Sequence, residues 1–460
     1  MAAKNRQGAD NPRHKLAMRA KMLPGCGAAR FARSRFMRLT LSRAERIALP
    51  AAIACVLILP LALLYARALA EILIGVIDAL FLLHLAAAPD RAARQAPFAW
   101  AAGAWLAWQI VASAFGTGGL VLSLVLFRLP LLALALGWWV LGSARAKRLL
   151  WWAIAAAVAW IVLQSWQQYF TGTNIFGVPR WGDGALTGPF NRPRAGPALI
   201  LTLFPVLLPA ASALAASQKI AAKAAGMALV VLGAATVLLI GQRMPSALLL
   251  LGLLLTGLLL PKLRLAMAAA LILGTALLAA TPVIAPGTYH KLIIRTQEQM
   301  TNFVYSPYGE LWVRATVIAE QHPLAGLGFD GFRRGCGDPR AVRGLPALGV
   351  TLAEARIATD ACNIHPHNYY LEQADNGGWP LLALFVAMMA AAWLALARGF
   401  RRGLDPLRAG LLVAFSLAVW PVASTSALTS MPNAGWIFLL LGFGLAEAAP
   451  AYAAPKAAST

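Results

Sequence analysis

Runs of about twenty apolar residues recur along this chain, separated by short turns rich in Gly, Pro and charge. A run of that length spans the hydrocarbon core of a bilayer as a helix, so the pattern predicts transmembrane helices. Twelve runs qualify: roughly 47–65, 69–89, 97–115, 119–142, 149–168, 196–216, 224–240, 245–260, 264–283, 376–397, 407–424 and 432–449. The predicted fold class is an all-α polytopic membrane protein with one large loop between the ninth and tenth spans. The boundaries are a basic tail (1–46), helices 1–9 (47–283), the large loop (284–375), helices 10–12 (376–449) and a short C-terminal tail (450–460). The first run does not read as a signal peptide. It starts about 46 residues in, lacks a small-x-small cleavage site and is followed at once by a second run.

Composition agrees with this class. Mean hydropathy is +0.68 and only 12% of residues are charged. The net charge of +23 would suggest nucleic acid in a soluble protein. Here its distribution gives it another meaning. Segment 1–46 holds twelve Lys/Arg against Asp10 and Glu45, which predicts a cytoplasmic N-terminus. Arg91 and Arg94, then Arg145, Lys147 and Arg148, then Lys219 and Lys223, then Lys262 and Arg264, then Arg398 to Arg408 fall on the same side. Intervening turns are poor in charge, and segment 284–366 balances eight Lys/Arg with seven Asp/Glu, as an exported loop should. The basic excess therefore sets topology and attracts anionic headgroups, with no nucleic-acid partner. Both tails are predicted to be cytoplasmic. Residues 1–40 read as a disordered tail, with an amphipathic surface helix at Arg30 to Leu41 as the alternative.

On this topology the residues with chemistry gather on the outer face. Loop 169–195 ends Gly188-Pro189-Phe190-Asn191-Arg192-Pro193-Arg194, and a tight turn reads Gly241-Gln242-Arg243. Arg192, Arg194 and Arg243 sit where the charge rule predicts no arginine. A guanidinium fork matches two phosphate oxygens, so these are candidate phosphate ligands. Anchoring to outer headgroups and capping of helix ends are the alternatives. The large loop ends in Asn363-Ile364-His365-Pro366-His367-Asn368, packing two of the six histidines into three positions. A general base or a hydroxyl-binding imidazole is the favoured reading for His367. A helix cap is the alternative, and a metal site lacks standard ligand spacing.

His367-Asn368, nine residues, then Gly378 resembles the signature of the O-antigen ligase, O-antigen polymerase and protein O-oligosaccharyltransferase superfamily. Leu381 departs from it, standing where the signature has Gly, Thr or Tyr. Arg314 with His322-Pro323-Leu324-Ala325-Gly326-Leu327-Gly328 resembles the family's run before the histidine. Gly188-Pro189-Phe190 with Arg194 and Gly241-Gln242-Arg243 resemble its two outer-face polar motifs. The resemblance covers about residues 45–449. It implies a periplasmic active site in a bacterial inner membrane and a helical architecture akin to GT-C-type glycosyltransferases. It implies a glycan donor on undecaprenyl diphosphate, a lipid A–core acceptor, and no metal or other cofactor. The roles it implies are His367 as base, Arg194 and Arg243 on the diphosphate, and Arg192, Arg314, Asn368 and His365 as substrate contacts. Direct attack by the acceptor implies inversion. The polymerase and the protein oligosaccharyltransferase remain alternatives by acceptor, and a polytopic transporter by class.

Two pairings follow from the topology. Cys336 and Cys362 lie in the exported loop, where a disulfide is allowed, the alternative being two free thiols. Asp78 and Arg128 fall at similar depth in the second and fourth spans and are expected to pair. The alternatives are Arg128 facing a carrier cavity, and Asp78 protonated or paired with Arg67.

Overall fold

The computed structural model describes residues 47–87, 96–342, 362–400, 403, 405–423 and 426–448. The tails, with Cys26 and the Arg30 to Leu41 stretch, lie outside the described residues. Long helices follow one another as the apolar runs predict. They are α1 (Ile47–Tyr65), α2 (Arg67–Ala87), α3 (Pro97–Phe115), α4 (Leu120–Val140), α5 (Ala144–Thr171), α6 (Ala195–Ala215), α7 (Ile220–Ile240), α8 (Arg243–Leu259) and α9 (Pro261–Ile284). The loop contributes α10 (Pro307–Gln321), and the chain ends with α11 (Tyr369–Leu396), α12 (Pro406–Ala418) and α13 (Asn433–Ala448).

Nine of these described helices, α1 to α7, α9 and α11, are long and apolar enough to cross a membrane. The other three expected spans correspond to the shorter α8, α12 and α13. At ~1.5 Å per residue these reach roughly 25, 20 and 24 Å, short of a ~30 Å hydrocarbon core. Burial explains how α12 and α13 tolerate this. Nearly every residue from Ala409 to Ala418 and from Ala434 to Ala446 is buried, so both are packed in the bundle interior. There α12 lies against α6, close enough that a side chain at Gly410 would meet the Phe204 carbonyl oxygen at 2.6 Å. Small residues allow this approach where lipid gives no hydrophobic drive for helices to associate.

Two spans differ from their expected form. α4 is broken: Leu120–Leu124 is followed by a tight 3-10 turn at Val125–Phe127, then Arg128–Ala135, then a wider turn at Leu136–Val140. Pro130 supplies a reason, because its ring cannot donate to the Leu126 carbonyl and crowds it. α11 begins at Tyr369 rather than at 376, and its φ/ψ leave the helical region at Gly377 and Gly378.

The expected Asp78–Arg128 pair does not form. Arg128 instead grips Glu71 with two bonds, Nε to Oε2 at 2.9 Å and Nη2 to Oε1 at 3.3 Å. Both Asp78 carboxylate oxygens are buried without a hydrogen-bond partner among the described residues. Matching depth was not sufficient, because the helix face on which each residue lies decides which carboxylate the guanidinium meets.

Candidate active site at one end of the bundle

The helix directions gather several polar segments at one end. The starts of α6, α8, α11 and α13 meet the ends of α3, α5, α7 and α9 there. Loop 172–194 is built on two buried amides. Gln168 Oε1 accepts from Thr187 N (2.7 Å) and Gly188 N (3.2 Å), while its Nε2 donates to Thr187 Oγ1 and Val178 O. Asn174 Nδ2 donates to Gly188 O at 2.8 Å. The backbone groups of the Gly188-Pro189-Phe190 turn are thus satisfied inside the protein, which fixes where the chain emerges as Arg192 and Arg194. Both arginines are exposed, and Arg194 provides the first backbone acceptor of α6.

Gln242 joins this loop to the Arg243 turn. Its Oε1 accepts from Gly196 N at 3.0 Å and its Nε2 donates to Pro193 O at 2.5 Å. Leu186 N donates to Ile240 O at 3.0 Å nearby. The structure thereby brings the segments bearing Arg192, Arg194 and Arg243 together, although 49 residues separate Arg194 from Arg243. Arg243 is half-buried and donates to Gln299 Oε1. Gln299 lies on a short helix, Arg295–Thr301, that also carries the exposed Arg295 one turn earlier. Just upstream, Lys291 pairs with Asp183. Burial alone would raise the Asp183 pKa, but the Lys291 hydrogen bond, the Ala185 N–H and the charges of Lys291 and Arg295 outweigh it and hold it low.

From Gln299 the chain leads through a turn at Phe303–Tyr305 into α10, and so from the arginines towards the histidines. The Tyr308 ring stands edge-on to His367, centroids 5.4 Å apart, and His365 lies edge-on at 4.2 Å. His367 is half-buried with φ of 56°, a left-handed conformation that costs a bulky residue free energy. Its Nε2 lies 3.0 Å from Asn363 Nδ2. Asn363 Oδ1 already accepts from Ile364 N, so its NH2 group is the part that faces the ring. The amide therefore donates, and His367 Nε2 accepts as an unprotonated nitrogen. His365 is buried, with Nδ1 lacking a hydrogen-bond partner among the described residues. Burial, then the neighbouring His367, pushes its pKa down to about 4.

The other expected contacts are placed as supports. Asn368 caps α11: its Oδ1 accepts from Tyr370 N (2.9 Å) and Leu371 N (3.1 Å), and its Nδ2 donates to Pro421 O (2.7 Å). Arg314 is enclosed, 2% exposed, with Nη1 donating to Cys336 O and Cys362 Sγ, both at 3.3 Å. Those cysteines form the disulfide that the topology allowed, with Cα atoms 5.7 Å apart. Burial lowers the Arg314 pKa, partly offset by Glu310.

The run before the histidine and the glycine after it are two halves of one joint. Trp379 N donates to Pro323 O (2.8 Å), Leu327 N to Asp375 O (2.8 Å) and Gly328 N to Asn376 O (2.9 Å). The 322–328 loop thus satisfies backbone groups that the α11 break releases. Gly378 has φ of +70°, and any Cβ there would lie 2.4 Å from Pro323 O. A Cβ on Gly326, at φ +59°, would meet Gly377 N at 2.5 Å. Leu381, the departure from the signature, is fully buried against Gly377. Sequence reading missed Gln242, Gln299, Tyr308, Asn363 and Arg334. Arg334 ties this joint to the turn after α3, donating to Thr117 Oγ1 (2.7 Å) and Gly118 O (3.3 Å) on that turn and to Leu327 O (3.0 Å) and Phe329 O on its own side. Of these, Gln242 and Asn363 carried a signal, since they stand inside the Gly241-Gln242-Arg243 motif and the stretch that ends in the two histidines.

Many long apolar helices, with arginine-bearing turns and a histidine pair in the segments towards one end, are the features of a polytopic α-helical membrane protein. Residues 228–386 match the O-antigen ligase family, which bears out the resemblance read from the motifs. The match includes the Arg243 turn, α10, both histidines and Gly378, and it supports a membrane enzyme of the O-antigen ligase or polymerase type. A comparison with curated proteins found no match.

Proposed function

We propose that this protein is an inverting glycosyltransferase that moves a glycan from undecaprenyl diphosphate to a sugar hydroxyl of lipid A–core at the periplasmic face of an inner membrane. The acceptor hydroxyl replaces Asn363 as hydrogen-bond donor to His367 Nε2. As its oxygen attacks the anomeric carbon, its proton passes to that nitrogen. The bond from the anomeric carbon to the phosphate oxygen breaks, and the electron pair leaves with the diphosphate. Arg243 and Arg194, with Arg192 beside them, neutralise the charge growing there. His365 and Tyr308 shape the acceptor side of the imidazole. Asn368 and Arg314 act through position, by capping the helix behind His367 and bracing the disulfide-closed loop.

The observation that carries this reading is the accepting Nε2 of His367. A base needs a free lone pair facing a donor, and Asn363 occupies the place an acceptor hydroxyl would take. The test is transfer from carrier-linked glycan to purified lipid A–core by the purified protein. Wild type should produce the elongated lipid and His367→Ala should not, with both inserted in membranes equally. Elongation of a second carrier-linked glycan, with lipid A–core left unmodified, would assign a polymerase instead. Full activity in His367→Ala would overturn the mechanism.

A further inference from the structure

A cavity of about 740 Å³ opens at the opposite end of the bundle, where the Lys/Arg-rich turns lie. It is bounded by the start of α5, the end of α6, the start of α12 and the end of α13. Along α5, Ala144, Lys147, Arg148, Trp151 and Trp152 line it at the i, i+3, i+4, i+7, i+8 spacing of one helix face. Opposite them stand only Pro209, Ala210 and Ala213 of α6, which leave the space open.

The polar groups there divide in two. Lys147 is committed: Nζ donates to Ala446 O at 2.7 Å and lies 3.5 Å from Glu447. Trp151 is committed as well. Pro209 has no N–H to offer the Pro205 carbonyl four residues back, and Trp151 Nε1 donates to that carbonyl at 3.0 Å. Arg148 is exposed, at the cavity wall, with no hydrogen bond or ion pair among the described residues. Trp152, 60% exposed, stacks edge-on to Trp151 at 4.7 Å. With Lys147 and Glu447 cancelling, one guanidinium is left at the mouth of an apolar, aromatic-walled space. Tryptophan beside a basic residue at the end of a spanning helix is the pattern of the headgroup layer.

We infer that this cavity binds an anionic phospholipid, its phosphate on Arg148 and its glycerol and upper acyl chain against Trp151, Trp152 and the proline-containing wall of α6. A soluble phosphate would use the guanidinium but not the apolar volume, so the lipid is the occupant the lining favours. The site is separate from glycan transfer and does not depend on that assignment.

Native mass spectrometry of the full-length protein in detergent tests it, with phosphatidylglycerol, phosphatidylcholine and inorganic phosphate as probes. Wild type should retain phosphatidylglycerol over phosphatidylcholine, and Arg148→Gln should lower phosphatidylglycerol retention about fivefold, the share of one basic residue at a membrane surface. Trp152→Ala, which removes an exposed ring, should also weaken retention and serves if Arg148→Gln does not fold. Equal retention of both lipids by wild type, or an unchanged preference in a folded variant, would overturn the inference. Displacement of phosphatidylglycerol by inorganic phosphate would overturn the lipid assignment in favour of a soluble anion.

Discussion

His367 and Arg243 carry the sharpest predictions at the level of single side chains. Arg243→Lys keeps the charge but loses the planar fork that reaches Gln299 and would hold two phosphate oxygens. Its kcat/KM is expected to fall at least ~10-fold, about 1.4 kcal/mol of transition-state stabilisation. Wild-type kinetics in both Arg243→Lys and Arg243→Ala would return this residue to a headgroup anchor. His365 gives a pH signature. Its folded pKa is about 4 against an ordinary 6.5, so between these values the unfolded chain binds a proton that the folded chain does not. Stability therefore rises with pH across that window and falls as pH drops from about 6.5 towards about 4. His365→Gln should flatten this part of the profile, as read by thermal unfolding in detergent across the pH series. An unchanged slope would show that other groups govern it.

At the scale of elements, the α11 break and the 322–328 loop stand or fall together. Gly378→Ala demands a left-handed alanine and drives its Cβ into the Pro323 carbonyl. The conformational part alone costs on the order of 1–3 kcal/mol, and the clash with backbone adds to it. The variant should melt earlier and lose transfer, whereas Gly182→Ala, with open space around it, should do neither. Asn368 tests the cap in the same way. Asn368→Ala should lose ~1 kcal/mol of stability, and Asn368→Ser, which can still accept from the first turn, should recover most of it. If Ser were as damaging as Ala, the Nδ2 bond to Pro421 O would be the more important one.

At the scale of the whole molecule, packing of α2 against the broken α4 rests on a pair that depth alone did not reveal. A double-mutant cycle of Glu71→Gln with Arg128→Gln is expected to show coupling of roughly 0.5 kcal/mol or more. The cycle of Asp78→Asn with Arg128→Gln should be close to additive. The reverse result would restore the pair expected from the sequence.

Apolar run length located the long helices, though not the break in α4 or the early start of α11, because only a helix satisfies its own backbone in lipid and the bilayer thickness sets its length. The charge pattern then singled out Arg192, Arg194, Arg243 and the His365–His367 pair, since each stands where desolvation or the charge rule makes it costly. Cysteine positions within the same topology sufficed for Cys336–Cys362. Contacts between segments far apart in sequence were decided only by the fold. These include Gln242 bridging two loops, Asn363 setting the His367 lone pair, Arg314 turned inward onto the disulfide, and Arg128 choosing Glu71. The physical reason is that hydropathy and spacing report depth and type. Which partner a polar group meets depends on helix rotation, on proline breaks such as the one at Pro130, and on the backbone joints at Gly326 and Gly378, and these are set when the helices pack.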